Sequence, residues 1–268
     1  MMKKIVRPLI LLTVLLFLYA PILILAFYSF TDASQIGAFQ AFSLQNYETL
    51  FTTEELRDMI LGTVVLALLV AALSTAFGTL GAIGAFYSRK GTAAAYNTLN
   101  QIPVINADVV TAFSICILLV VVLGIRKETY LPLLFGQIAL CAPFVYLSVM
   151  PKLKQMDPSL YEAALDLGAT PKRALFKVVL PQIFSGMVSG FALALTLSLD
   201  DYFIATYTKP ATFDTISTYV VNATKGSHTE IKTALWALST VIFLLVVLAV
   251  VLMNLKKEKN TEDRRAGL

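Results

Sequence analysis

The sequence predicts an all-α membrane protein with six transmembrane helices and both termini in the cytoplasm. Three observations carry this. Of the 268 residues, 57% are hydrophobic and 14% are charged, against about 25% charged in a typical soluble domain. The apolar residues gather into six runs, each near or above the ~20 residues a helix needs to cross a bilayer. Lys and Arg are unevenly shared between the connections, which sets orientation.

The first run, 8–31, is free of charge. It is too long for a signal-peptide core and no small-residue cleavage pattern follows it, so it reads as a retained span. The second, 59–88, is also uncharged and holds Gly62, Gly78, Gly81 and Gly84, the small residues that let helices approach closely. The third, 101–124, carries one charge, Asp108. The fourth, 129–150, carries none. The fifth, 178–207, is uncharged as far as Leu199 and then meets Asp200 and Asp201. The sixth, 233–255, is uncharged. Residues 1–258 therefore read as one transmembrane domain, and 259–268 as a solvated cytoplasmic tail.

Connections 31–58, 124–130 and 208–232 hold six of the 21 Lys and Arg: Arg57, Arg126, Lys127, Lys209, Lys225 and Lys232. The N-terminus, 88–100, 151–177 and the tail hold the rest, so these face the cytoplasm. The first outer connection is acidic, with Asp32, Glu48, Glu54, Glu55 and Asp58 against Arg57. The net charge of +4 thus follows membrane topology and does not point to nucleic acid. Cys116 and Cys141 lie in apolar runs and read as small buried residues, not a disulfide or metal site. The single His228 lies in a polar connection, which leaves no histidine-based metal or triad chemistry.

One polar, basic stretch interrupts the apolar runs. Residues 157–181 have a helix grammar of their own. Asp157 suits an N-cap and Pro158 a first helical position. Gly168 suits the left-handed position that ends a helix. Thr170-Pro171 starts a second helix in the same way, and Pro181 follows where that helix gives way to the next run. Two short helices at an angle, on the cytoplasmic side, make a docking surface.

Charges inside membrane spans are costly and point to function. There are three, Asp108, Asp200 and Asp201, with no basic residue in any span to neutralise them. A carboxylate without a protein partner takes up a proton or pairs with something supplied, and a cationic substrate is one such partner. Neighbours on a helix point about 100° apart. One of Asp200 and Asp201 is therefore expected to line a central path while the other bonds to a neighbouring helix; the pair could equally cap a broken helix. Tyr47, Tyr202, Phe203, Tyr207 and Trp236 could offer ring faces to ammonium groups or serve as interface anchors.

Glu162-Ala163-Ala164, Gly168, Val178 and Leu180-Pro181, at this spacing and before the fifth span, resemble the EAA motif of ABC-importer permeases. Val178 stands where the family usually has Ile. The resemblance implies the type I ABC importer permease fold, with 151–177 as the coupling loop that inserts into an ATP-binding subunit. In that role Glu162 would offer a carboxylate to the partner. Ala163 and Ala164 would allow close approach, and Gly168 the turn. The chain has no Gly-x-x-x-x-Gly-Lys-Ser/Thr loop. It therefore reads as no enzyme and binds no cofactor itself, with ATP and Mg expected on the partner ATPase.

A second resemblance covers residues 5–255. Leu-Thr-Leu-Ser-Leu-Asp-Asp at 195–201 is similar to the Ser-Met-Asp-Asp stretch of spermidine/putrescine permeases of the C type. Ala107-Asp108-Val109-Val110 is similar to their Pro-Asp-Ile-Val, and Phe42-Ser43-Leu44-Gln45-Asn46-Tyr47 to their aromatic pre-helix. Lys209 stands where that family usually has a small residue. The resemblance implies polyamine import through the bacterial inner membrane, with Asp108, Ser198, Asp200, Asp201 and Tyr47 along the substrate path. It implies a homologous second permease subunit, two copies of an ATP-binding subunit and an extracytoplasmic solute-binding protein. The alternatives are the same importer class carrying another organic solute, such as an opine or phosphonate, or a secondary carrier that needs no ATPase.

Overall fold

The apolar runs fold as helices over the residues that the structure describes. A computed structural model describes residues 2–32, 41–157, 159–225 and 233–244. Among these the regular structure is helical, with one isolated backbone bridge between Thr31 and Phe42. The chain divides into two units, one made of the residues up to Arg57 and those from Val220 on, the other of Asp58–Tyr219.

In the first unit α1 (Met2–Ser29) exposes apolar side chains over most of its length from Ile10 on. Such a helix suits lipid or a partner subunit. A short helix, α2 (Gln45–Thr52), is tied to the end of α1 by Asn46. The Asn46 amide donates to the carbonyls of Ser29 (3.1 Å) and Thr31 (2.9 Å), which α1 leaves open at its C-terminus. The Trp236 ring of α12 (Thr233–Leu244) meets Tyr28 edge-on, with centroids 6.0 Å apart.

The second unit contains α3 (Glu54–Phe86) from Asp58 on, α4 (Lys90–Ile105) and α5 (Asp108–Cys116), which continues through a π-helical turn at Ile117–Val122. It also holds α6 (Leu131–Gln155), α7 (Ser159–Asp166), α8 (Pro171–Ala174), α9 (Leu180–Asp200) and α10 (Phe203–Thr208). Helix α11 (Ile216–Lys225) starts in this unit and ends in the other.

Helix α6 packs extensively along α9. The centre of this pairing is Val145, fully buried between glycines of two other helices. A Cβ at Gly190 of α9 would lie 2.9 Å from Val145 Cγ1 and 3.2 Å from its Cα. A Cβ at Gly78 of α3 would lie 2.7 Å from Val145 Cβ and 2.7 Å from the Ala142 carbonyl oxygen. In lipid, apolar surface gains little by transfer, so this close van der Waals approach holds the helices together. Gly62 and Gly81 are covered in the same way, by Phe213 and the Tyr96 hydroxyl, whereas Gly84 meets nothing.

Four helices among the described residues are long and apolar enough to cross a membrane: Ile10–Ser29, Glu54–Phe86, Leu131–Gln155 and Pro171–Asp200. The third run departs from a single span. Its helix starts at Lys90, leaves helical geometry at Asn106 and Ala107, and turns by 108° into α5. Asn106 closes the break by donating to Thr111 Oγ1 (3.2 Å), the local bonding by which Asn competes with a helix. The fifth run breaks too, at Asp201-Tyr202.

Two boundaries also move. The fourth helix does not stop at residue 150 but runs through Pro151 to Gln155. Pro181 does not interrupt its helix either, because α8 passes through a π-helical turn at Leu175–Val179 directly into α9. There the Leu180 N–H bonds the Leu175 carbonyl, and this wider turn comes just ahead of a ring that has no N–H to give. Pro158, His228, residues 245–255 of the sixth run and the tail 259–268 lie outside the described residues.

Candidate functional site

The break after α9 creates a polar site among apolar helices. When α9 ends at Asp200 and α10 begins at Phe203, the N–H groups of the new helix need acceptors. Asp201 supplies them: Oδ1 accepts from Ile204 N (3.0 Å) and Oδ2 from Ala205 N (3.0 Å). Oδ2 also accepts from Gln137 Nε2 of α6 (2.9 Å), and Gln137 Oε1 accepts from Ser198 Oγ (2.8 Å). Gln137 is 0% exposed and Asp201 9%. Ser198, Gln137 and Asp201 thus form a buried chain of hydrogen bonds across three helices.

In front of this chain lies an open pocket of about 190 Å³. Asp108, Asp200 and Asp201 line it, with the rings of Phe144, Tyr202 and Phe203 and the aliphatic side chains of Leu140, Leu197 and Ile204. No lining residue is cationic. The three carboxylates differ in what faces them. Asp108 sits in the first turn of α5 and Asp201 ahead of α10, both at the positive end of a helix dipole. Asp200 is the last residue of α9, where the dipole's negative end adds to its charge. It is exposed, and it is the carboxylate for which a cation does most.

The sequence-identified residues thus sort as follows. Asp108, Asp200 and Asp201 come together. Ser198 stands behind them, bonded to Gln137 and outside the pocket lining. Tyr47 lies in the first unit, its hydroxyl 2.9 Å from Ser29 Oγ and its ring against Phe30. Lys209 donates to the Phe213 carbonyl (2.8 Å) and pairs with Asp214 Oδ1 (3.0 Å), so its charge is met away from the pocket lining. Gln137 and Phe144 did not stand out in the sequence. Gln137 carried one signal, a lone amide within an otherwise apolar run.

The docking stretch folds by its local grammar. Asp157 Oδ1 accepts from Ser159 N (3.0 Å), and this bond holds the Asp157 carboxyl below its ordinary pKa. Gly168 takes φ +82°. Its N–H bonds the Leu165 carbonyl (2.9 Å) and the Ala169 N–H bonds the Ala164 carbonyl (3.0 Å), a Schellman turn. Thr170 then caps α8 by accepting from Arg173 N (3.4 Å). Glu162 and Ala163 are exposed, and Leu167 is 89% exposed, an apolar side chain left without cover at the turn. Tyr161 packs on Tyr87 at the end of α3, with ring centroids 5.1 Å apart.

The profile of the binding-protein-dependent transport system inner membrane component family matches residues 80–257, which include both the pocket and the docking stretch. The chain belongs to this family. As one of these inner membrane components, it is 31% identical over 245 residues to the spermidine/putrescine transport system permease protein PotC of Haemophilus influenzae, covering 91% of this chain and 93% of the relative. It is 30% identical to the putrescine transport system permease protein PotI of Escherichia coli, covering 88% and 85%. In fold it is similar to a chain of a bacterial ABC transporter that imports the acidic polysaccharide alginate (TM-score 0.72, 16% identity, 94% of this chain and 96% of that one). A second alginate transporter structure, in complex with a pentasaccharide-bound periplasmic protein, gives TM-score 0.70 at 21% identity and covers 92% and 91%. The fold is therefore that of a type I ABC importer permease in the inner membrane.

Proposed function

We propose that this chain is a permease subunit of an ATP-driven importer that passes spermidine or putrescine across the inner membrane. It acts with a homologous second permease subunit, two copies of an ATP-binding subunit that hold ATP and Mg, and an extracytoplasmic binding protein that delivers the cargo. It crosses the membrane six times with both termini in the cytoplasm. The observation that carries the cargo assignment is Asp200, a carboxylate at the negative end of α9 in a pocket that Asp108 and Asp201 also line without a cation. A primary ammonium group satisfies that field, and the Tyr202, Phe203 and Phe144 rings receive its positive charge by cation–π attraction. The similarity to permeases named for spermidine and putrescine agrees with it.

The drive follows from one continuous helix. Pro171–Asp200 is 30 residues, about 45 Å at 1.5 Å per residue. One end adjoins the Gly168 turn and the other carries Asp200. Movement of an ATPase seated on Glu162, Ala163, Ala164 and Gly168, with Leu180-Pro181 on the following helix, is delivered to the pocket by that rod. Uptake by cells carrying the complete transporter tests the reading. Labelled putrescine or spermidine enters, and excess unlabelled polyamine competes. Entry of a non-amine solute in place of either polyamine overturns the cargo assignment.

A further inference from the structure

The three carboxylates of the pocket do not have the same work, and an amide behind them decides which does what. Each Asp201 oxygen is already engaged: Oδ1 by the Ile204 N–H, Oδ2 by the Ala205 N–H and by Gln137 Nε2. A carboxylate only accepts, so Gln137 must turn its nitrogen toward Asp201 and its oxygen toward the Ser198 hydroxyl, which donates to it. The amide is fixed by having one donor need and one acceptor need on opposite sides. Ser198 lies two residues before Asp200 on the last turn of α9, and Asp201 begins the link to α10. Gln137 therefore grips the chain on both sides of Asp200 from a different helix.

We infer that Gln137 is a positioning residue that holds Asp201 as the structural cap of the break and so leaves Asp200, with Asp108, as the carboxylates that meet the cargo's ammonium group. This rests on the permease reading above. Removing the grip leaves Ser198 Oγ without its acceptor and Asp201 Oδ2 with the Ala205 N–H as its remaining partner inside the protein. An unmet buried polar group costs enough to repopulate the break. Asp200 then no longer presents its carboxylate at one place.

The amide's symmetry supplies the test. With Asp201→Asn, the Gln137 side chain turns over, accepting from the introduced amide nitrogen and donating to Ser198 Oγ, while the introduced amide oxygen keeps one capping bond. With Gln137→Glu, two carboxylates meet, and at a pH that ionises both the grip is lost. The double variant Gln137→Glu/Asp201→Asn restores one donor and one acceptor and moves the charge to the other helix.

The complete transporter is reconstituted in proteoliposomes with each variant. Putrescine uptake is measured per assembled complex, alongside the melting temperature. Gln137→Leu is expected to lose about tenfold in uptake per complex, a quantity that a merely structural role would leave unchanged. Gln137→Glu falls further, and the double variant recovers to within about threefold of Asp201→Asn. Wild-type uptake by Gln137→Leu, or a double variant no better than Gln137→Glu alone, overturns the inference. If the wild-type transporter takes up no polyamine, the permease's cargo assignment fails by itself. The grip is then read from melting temperatures alone: non-additive shifts for Gln137→Leu and Asp201→Asn support it, and additive shifts overturn it.

Discussion

Replacing Gly168 separates a turn that conducts motion from a turn that merely connects. Its φ of +82° lies in the left-handed region, and a Cβ built there would meet nothing within 4 Å. The cost of a side chain is therefore conformational and not steric. For alanine that cost is about 1–2 kcal/mol. The loss of glycine's freedom in the unfolded chain returns about 0.4–1 kcal/mol. The net of about 1 kcal/mol lowers the ratio of formed to unformed Schellman turn about fivefold. Asparagine tolerates this region and costs less. Proline fixes φ near −65° and has no N–H for the Leu165 carbonyl, so both features of the turn go at once. The assay is cargo moved per ATP hydrolysed by the reconstituted transporter. Gly168→Asn is expected near wild type. Gly168→Ala should fall by no more than about fivefold. Gly168→Pro should keep hydrolysing ATP while moving little cargo. A Gly168→Pro variant with the wild-type ratio refutes the coupling role. An alanine variant as damaged as the proline one refutes the conformational reasoning.

Three other positions give sharp expectations. Gly190→Leu drives a side chain into the backbone of Val145, an overpacking cost of about 1–3 kcal/mol, so the melting temperature and the yield of chain should drop; Gly84→Ala, which meets nothing, should change neither. Asp200→Asn should cut polyamine uptake about tenfold, the scale of a lost charged hydrogen bond. Its melting temperature should not fall, since the Asp200 side chain is exposed and the lost charge stood at the negative end of α9 beside two other carboxylates. A lower melting temperature with intact uptake would show that this carboxylate is structural.

What the sequence disclosed depended on how local the cause was. The caps and turn of 157–171 were legible because each is made within a few residues: Asp157 with Ser159, Gly168 with Leu165, Thr170 with Arg173. The helical membrane character was legible from composition. A break capped by the Asp200-Asp201 pair was one of the readings left open, and Asp201 is that cap; the break at Asn106-Ala107 was not legible. Apolar content continues across Asn106-Ala107 as it does across any span, and hydropathy registers composition, not backbone direction. At the break the side chain of Asn106, three residues after Pro103 in α4, reaches Thr111. The Asp200-Asp201 pair was visible as charge. The separation of the two required Gln137, 64 residues from Asp201 along the chain. Pro181 misled for the opposite reason: its usual effect on a helix is real, but a wider turn beginning at Leu175 accommodates it.

The most direct test of the account is ATP-driven accumulation by proteoliposomes holding this chain, the second permease subunit and the ATPase pair, supplied with polyamine-loaded binding protein. Labelled spermidine or putrescine should accumulate against its gradient only when ATP is supplied to the ATPase side, and the Asp200→Asn chain should assemble yet accumulate little. Accumulation without the ATP-binding subunit, or equal accumulation by the Asp200→Asn chain, would contradict it.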